Sequence, residues 1–468
     1  MRRPMSLYNR IARDCLAPAM DLIRGTHTMS CLRELEESQW WPLERIEELQ
    51  SARLRRLITH AYEHVPYYRR VMDERRLTPS NIRSAADLAK LPVLTKAAIV
   101  GAADSILSDD FPRAKLRLVS TSGSTGDPLA FYSTAEDQFS HGMARTFRAL
   151  QWAGVLIGDR YATLARPRHY DRRREQTLHQ ISTRVRRAVE LDYGWLSDEC
   201  LSRLVQQLQR GRFVSLAGVP PLLCLVAGYM RDRGVDVPHI RSIVSMAEQL
   251  YPHERRLLRE VFGAEPYSKY SAYEVYDIAC ECEAHEGLHV QSEDIVVEVV
   301  DEAGMTVPAG HPGRILLTNL HNYAMPFMRY EIGDSGTLSW TPCRCGRQLP
   351  RLVGVVGRVS ELIVTRSGRG VFAADLGLES FSLLGVRQFR IVQHELDYVV
   401  AYIVWHSNVD SDTRADCEQR IIETLCRRIG KGVTVTVEAV DSIEPTPAGK
   451  HIVVVSKCAS RLPHPAQG

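Results

Sequence analysis

No apolar run in this sequence is long enough to cross a bilayer as a helix, a span that takes about 20 consecutive apolar residues. The first residues, Met1-Arg2-Arg3-Pro4-Met5-Ser6-Leu7-Tyr8, start basic but lack the apolar stretch of a secretory leader. Neither sign of charge dominates. With 59 Lys and Arg against 56 Asp and Glu, the formal net charge is only +3, so nucleic acid is not implied as a partner. Closely paired cysteines are scarce. Cys15, Cys31, Cys200, Cys224, Cys417, Cys426 and Cys458 stand singly, which is the usage of reduced thiols and not of a disulfide framework. Internal repeats and long low-complexity tracts are missing as well. These absences argue against a helical membrane span, a disulfide framework and a repeat array, and the expectation is a soluble cytoplasmic protein.

The 468 residues, 44% hydrophobic and 25% charged, suffice for about two or three ordinary domains. Residues 30–110 read as mostly helical. Leu54, Leu57, Ile58, Ala61, Val65 and Met72 recur at near-helical spacing, interrupted by Pro66. Thr95 is placed to cap a helix beginning at Lys96. Arg117 to Ser120 reads as a short strand feeding a Gly/Ser/Thr loop. From about 130 to 350, short apolar runs alternate with helix-like segments, as in layered α/β folds; Phe213–Ala217 and Ser242–Met246 read as strands and Pro252–Phe262 as a helix. Composition changes near 357. Beyond it the pattern gives strands at about 387–393 and 398–405, a helix at about 412–428 and a strand at about 432–440, a small ββαβ unit ending in the loop Pro445 to Lys450. The expected division is therefore 1–356 and 357–468. Residues 166–187 are crowded with arginine, which reads first as a solvated face and alternatively as a surface for an anionic partner.

The densest local motif is Thr121-Ser122-Gly123-Ser124-Thr125-Gly126-Asp127-Pro128. Small residues let the backbone approach a polyphosphate closely, and hydroxyls and amides donate to its oxygens. The Gly-Lys-Ser/Thr ending of a Walker loop is missing. This run resembles the phosphate loop of the adenylate-forming superfamily, which includes acyl-CoA synthetases, luciferases and peptide-synthetase adenylation domains. Further resemblances follow in the family's order. Met246-Ala247-Glu248-Gln249-Leu250 is similar to its adenine-lining segment, and Tyr270-Ser271-Ala272-Tyr273-Glu274 to its Tyr-Gly-x-Thr-Glu motif. Tyr330-Glu331-Ile332-Gly333-Asp334 is similar to its Tyr-x-Thr-Gly-Asp motif, Gly357-Arg358 to the start of its hinge, and Pro447-Ala448-Gly449-Lys450 to its C-terminal lysine motif. His60-Ala61-Tyr62-Glu63-His64-Val65-Pro66-Tyr67-Tyr68-Arg69, Gly287-Leu288-His289-Val290 and Cys343-Arg344-Cys345-Gly346-Arg347 resemble the phenylacetate–CoA ligase branch with its CapK-like members. The resemblance spans roughly residues 50–455.

The resemblance implies an α/β fold: a large N-terminal adenylation domain of layered sheets and helices, and a small mobile α+β lid that rotates about Gly357-Arg358 between half-reactions. It implies ATP and Mg²⁺, with Thr121, Ser122, Gly123, Ser124, Thr125 and Gly126 at the phosphates and Ala247, Glu248 and Ser271 lining the nucleotide. Tyr270 would lie against the adenine, Glu274 would help hold Mg²⁺, and Asp334 would accept from the ribose hydroxyls with Arg358 nearby. Lys450 would bridge the substrate carboxylate and the α-phosphate as pyrophosphate leaves. The acid pocket would lie near Gly218-Val219-Pro220-Pro221 and between Ala247 and Tyr273. The sequence departs from the family at Tyr273 (usually Thr or Ser), Ser271 (usually Gly), Leu129 (often Lys), Ile332 (usually Thr) and Ser360-Glu361 (commonly two acids), which leaves room for an unusual acceptor.

Cys280-Glu281-Cys282, His285, His289 and Cys343-Arg344-Cys345 make two clusters of soft ligands of the kind that suits tetrahedral zinc; the alternative is free thiols in loops. Some members of the branch carry a structural zinc in this region. The ligand set chosen is Cys282, His289, Cys343 and Cys345, with Cys280 and His285 as substitutes. The expected activity is an AMP-forming acid–thiol ligase, with a small carboxylic acid as substrate and CoA or a carrier-protein thiol as acceptor. Transfer to an amine or sugar, and a scaffold that binds nucleotide without turnover, remain alternatives. The acid is not legible, nor is the oligomeric state, with a homodimer left open.

Overall fold

A computed structural model of the chain describes residues 5–120, 129–165, 173–192, 198–237, 239–356, 362–365, 370–372, 376, 381, 385–406, 409–430, 432–444 and 452–458. The described residues fall into two compact units, one reaching Val355 and the other running on from Val356. No helix among them is long and apolar enough to cross a membrane.

The larger unit is an α/β structure built on an eleven-stranded mixed sheet. Its parallel half runs Ala188–Asp192, Tyr161–Ala165, Ser215–Gly218, Ser242–Met246, Pro266–Ala272. The strands Ser215–Gly218 and Ser242–Met246 are almost wholly buried, which is why they read as short apolar runs without alternation. Helices Asp198–Gly211, Pro220–Asp232 and Pro252–Phe262 pack on them through Leu204, Leu223, Val226 and Leu258 against Leu216 and Ile243. Pro220 and Pro252 occupy first helical positions, where a missing N–H costs nothing. Pro266–Ala272 then pairs antiparallel with Tyr276–Glu281, and the sheet continues through Leu288–Val290, Arg351–Val356, Tyr330–Ser339, Pro312–Asn319 and Ile295–Val300.

The N-terminal helices follow the apolar spacing. The helix Leu43–His64 buries Leu54, Leu57, Ile58 and Ala61. It stops at Val65, which is extended (φ −120°, ψ 102°) because the ring of Pro66 disfavours helical geometry in the residue before it. A new helix starts at Pro66. Thr95 accepts a hydrogen bond from the Ala98 amide and caps Lys96–Ala102.

Between the strands Leu288–Val290 and Ile295–Val300 the chain turns through Gln291-Ser292-Glu293-Asp294, all four of them buried. The Arg148 guanidinium, itself fully buried, grips Glu293 at 2.6 and 2.7 Å and also donates to Gln291. Ser38 donates to the same Glu293 carboxylate at 2.6 Å. Asp294 accepts from Arg53 at 2.7 Å and Arg145 at 3.0 Å, and its first oxygen lies 2.9 Å from the His321 ring. One tetrapeptide thus ties the helices Thr28–Ser38, Leu43–His64 and Met143–Trp152 to the antiparallel strands.

The smaller unit carries a four-stranded sheet in the order Thr434–Ala439, Tyr398–Trp405, Val386–Glu395, Val454–Ser456, with the helix Ser411–Ile429. The last strand, parallel to Val386–Glu395, was not expected, and neither was the hairpin Leu362–Val364/Gly370–Phe372. Both are three residues long and show no readable alternation. Buried Gln393 fastens that hairpin, donating to the Val364 carbonyl at 2.7 Å and accepting from its amide at 2.8 Å.

Replacing Glu293 by Ala strands the Arg148 cation in the core, and losing one partner of a buried pair costs about 3–5 kcal/mol. Urea unfolding of the Glu293→Ala variant should show that loss in the transition of the larger unit; a change under about 1 kcal/mol, the scale of an exposed pair, would mean the turn does not hold the helices.

Candidate functional site

All five parallel strands point their carboxyl ends the same way, and in open α/β sheets ligands bind outside those ends. Gly218 ends one strand and leads into the helix that starts at Pro220. Met246 ends the next and is followed by Ala247, whose φ of +69° is a left-handed conformation that costs a non-glycine residue energy. Glu248 comes next, half-buried. Tyr270, Ser271 and Ala272 end the third strand, Pro266–Ala272. The segments expected to line the acid and the adenine therefore sit at adjacent strand ends.

Two pairings close this edge. The Tyr270 hydroxyl donates to Asp334 at 2.6 Å, joining the strand Pro266–Ala272 to Tyr330–Ser339 across a sequence separation of 64 residues. The Tyr330 hydroxyl donates to Glu274 at 2.9 Å, with both residues buried. Residues singled out from separate motifs are thus drawn together, and Tyr330, which had no assigned role of its own, donates to the Glu274 carboxylate. A bulge between Tyr270 and Ser271 re-aims the side chains at the strand end. Tyr273, in place of a small hydroxyl residue, is 57% exposed, so its ring takes up space outside the core.

Sequence reasoning missed Lys269. Its side chain, only 10% exposed, places the ammonium 2.8 Å from buried Asp277, one residue before Tyr270 in sequence. Burial alone would lower the lysine, but the Asp277 carboxylate outweighs it and holds the ammonium above its ordinary range. The pair braces the Pro266–Ala272/Tyr276–Glu281 hairpin from which Tyr270 and Glu274 project. A lysine two residues after a tyrosine in a short strand carries no pattern that announces burial.

Thr121, Ser122, Gly123, Ser124, Thr125 and Gly126 lie outside the described residues, as do Arg358 and Lys450. The strands that flank the loop are described. Arg117–Ser120 and Ala130–Ser133 pair antiparallel, with Ser120 opposite Ala130.

The second feature is a cluster in which Cys282, His289, Cys343 and Cys345 each offer a ligand atom within 4.8 Å of the others. Cys282 follows the strand Tyr276–Glu281, His289 is central in Leu288–Val290, and the other two lie on the turn after Tyr330–Ser339. Cys282 Sγ is 3.7 Å from Cys343 Sγ, and Cys345 Sγ is 3.2 Å from His289 Nε2. Around tetrahedral zinc, bond lengths of about 2.3 Å to sulfur and 2.0–2.1 Å to nitrogen put these separations near 3.8 and 3.6 Å. His289 Nδ1–H donates to the Leu349 carbonyl at 3.0 Å, which fixes the tautomer with Nε2 as the coordinating atom. The amides of Ala284 and Arg347 lie 3.4 Å from the sulfurs of Cys282 and Cys345, as donors to thiolates would. Gly346, at φ +86°, makes the turn. The substitutes lie elsewhere: Cys280 is buried against Ala149 and Leu349, and His285 sits between Glu281 and Tyr267. The donor set fits zinc.

The smaller unit matches the CapK C-terminal domain family over residues 379–457. Phenylacetate–coenzyme A ligase of Thermus thermophilus is 27% identical over 347 residues, covering 70% of this chain and 74% of that protein. Protein CapK of Staphylococcus aureus is 21% identical over 410 residues, covering 86% and 87%. The fold is that of 2-hydroxyisobutyryl-CoA ligase: the complex of that enzyme with 2-HIB-AMP in its postadenylation state superposes with a TM-score of 0.75 at 21% identity, covering 90% of this chain and 93% of that one.

Replacing Tyr330 by Phe takes the hydroxyl from a buried carboxylate, and hydrogen bonds to charged groups are worth about 1.5–3 kcal/mol. Denaturant titration of Tyr330→Phe should show a loss of that order; an unchanged midpoint would show that Glu274 is held by other groups.

Proposed function

We propose that this chain, a homologue of the phenylacetate–coenzyme A ligases with a CapK C-terminal domain, uses ATP to activate a carboxylic acid as an acyl-adenylate and passes the acyl group to the thiol of coenzyme A. The observation that carries this reading is the closure of Tyr270 on Asp334 and of Tyr330 on Glu274 at the carboxyl ends of the parallel strands. In the first half-reaction a carboxylate oxygen attacks the α-phosphorus and the bond to pyrophosphate breaks. In the second, the thiol sulfur attacks the acyl carbon, the bond to AMP breaks and the thiol proton goes to solvent. Neither step demands a strong base on the protein; positioning and charge stabilisation supply most of the acceleration.

Each assigned residue has a physical task. Tyr270 offers a ring face to adenine, and Asp334, oriented by the Tyr270 hydroxyl, accepts from the ribose hydroxyls. Glu274 is the carboxylate that would hold Mg²⁺, an ion that binds through one or two carboxylates plus phosphate oxygens and neutralises the charge of the phosphates. The loop 121–126 supplies amide and hydroxyl donors to them. We give Lys450 the role of the cation on the reacting carboxylate and α-phosphate. The site is expected to work in the cytoplasm, where thiols stay reduced; none of the eleven cysteines is in a disulfide.

A second acceptor class has its own support. The ring of Tyr273 stands exposed where a small hydroxyl is usual, and the C-terminal match is to CapK. Both favour a carrier-protein thiol, an amine or a sugar as acceptor. The two readings part on a single comparison: AMP release stimulated by CoA supports the ligase, and release indifferent to CoA supports the other acceptors.

The reading is tested by ATP–pyrophosphate exchange across aromatic, aliphatic and amino acids. At least one acid should drive exchange, and Lys450→Ala should lower it by about a hundredfold or more, the scale seen when a group stabilising transition-state charge is removed. Exchange with no acid would favour a nucleotide-binding scaffold. For the cysteine–histidine cluster we propose a structural Zn²⁺ that clamps the turn 341–347 to the neighbouring strands. Elemental analysis of gel-filtered protein should give one tightly held zinc per chain, lost in Cys343→Ser together with thermal stability; full stability of a metal-free protein would count against it.

A further inference from the structure

Near the end of the helix Leu43–His64 two histidines lie one turn apart, and residues four apart share a helix face. The rings of His60 and His64 have their centroids 4.9 Å apart. His60 Nε2 is 3.0 Å from the Tyr323 carbonyl and 3.1 Å from the Ser108 hydroxyl. A carbonyl can only accept, so Nε2 carries the proton and the lone pair of the neutral ring is on Nδ1. His64 Nδ1 is 3.0 Å from a carboxylate oxygen of Asp109. The same reasoning puts its proton on Nδ1 and its lone pair on Nε2. In metal sites a ligating histidine donates its other ring N–H in just this way, to a carbonyl or a carboxylate. The next residue, Asp110, brings a third donor, and one ligand atom from each of His60, His64 and Asp110 lies within 4.8 Å of the others.

The supports of this triad are built. The loop is tied back to the helix by the Asp109 amide, which donates to the His64 carbonyl at 2.9 Å, and the Ser108 amide donates to Ala324 at 2.9 Å. Phe111 and Tyr323 pack edge-on against the His60 ring at 5.9 and 5.1 Å and fix its orientation. The two histidines border an open hollow of about 560 Å³, which gives an ion access and leaves room for water at the remaining positions. Arg55 and Arg56 also line the hollow, together with the carboxylate of Glu63; the Arg55 guanidinium turns to the Arg83 carbonyl at 3.2 Å. A comparable grouping of His141, Asp294 and His321 is a poorer candidate, because Asp294 already faces the Arg53 and Arg145 cations.

We propose that His60, His64 and Asp110 form a second, surface metal site for a divalent transition ion of the zinc type, independent of the cysteine cluster and of the activity proposed above. Two imidazoles with one carboxylate suit zinc, copper or nickel rather than magnesium or calcium. An ion held there would pin the last turn of the helix to the loop 108–110 and, through Ser108 and Tyr323, to the segment before Tyr330.

The test uses the full-length chain without a histidine tag, saturated with zinc in equilibrium dialysis at micromolar free Zn²⁺. The wild type should bind one zinc more than His64→Ala, which alters a side chain only partly buried and keeps the His60 contacts. Cys343→Ser should lose the cysteine-cluster zinc and keep this one, so failure of either site is read separately. Asp109→Asn should weaken the second zinc by about tenfold, the lower end of the effect of removing a supporting hydrogen-bond partner. Circular dichroism checks that each variant folds. Equal zinc content in the wild type and the folded His64→Ala variant would overturn the proposal, as would a hollow that takes up inorganic phosphate but no zinc.

Discussion

The larger unit depends on burying two carboxylates at one turn. Glu293 and Asp294 sit at the start of the antiparallel strands, where they are almost completely removed from water. Isolated ionised groups at such depth would be prohibitive. Arg53, Arg145, Arg148, Ser38 and His321 surround them with donors, so the helices that carry those residues have one arrangement in which every charge is met. In Asp294 burial pushes toward the neutral acid, but the surrounding cations prevail and keep the carboxyl well below its usual range. A polar turn of this kind adds little net stability over an apolar one of equal fit; we infer that it instead specifies how the N-terminal helices register on the sheet.

That register bears on the site. The helix Met143–Trp152, which supplies Arg145 and Arg148, also packs on the strand Tyr276–Glu281 through Ala149, Trp152 and Cys280. The same strand pairs with Pro266–Ala272, which carries Tyr270, and it leads into Cys282 of the soft-ligand cluster. The strand-end residues Tyr270 and Glu274 and the cysteine–histidine residues are thus consecutive features of one hairpin and its neighbours. Lys269 and Asp277 brace the hairpin from inside.

How much of this could be read in advance follows from what each feature demands of the chain. The grouping of Cys282, His289, Cys343 and Cys345 was legible because soft ligands in close pairs suit a tetrahedral metal site. Tyr270, Glu274 and Asp334 were legible as members of ordered motifs, but their pairing was not: that Tyr270 donates to Asp334 and Tyr330 to Glu274 depends on strand register. The break before Pro66 and the Thr95 cap were legible because proline and capping hydroxyls act locally. Arg145 and Arg148 were not, since a charged residue on a helix ordinarily marks the solvent face, and here the partner carboxylates lie more than 140 residues away in sequence. The three-residue strands of the smaller unit were too short to show a period.

The central chemical claim is that a carboxylate oxygen of the substrate becomes bonded to the α-phosphorus of ATP. Isotope transfer reads this directly. With an acid that supports turnover, labelled with ¹⁸O in its carboxylate, AMP released after thiol transfer should carry one ¹⁸O, delivered when the acyl–oxygen bond breaks. AMP without the label, formed at the same rate, would contradict adenylate formation and leave only ATP hydrolysis beside a separate acyl transfer.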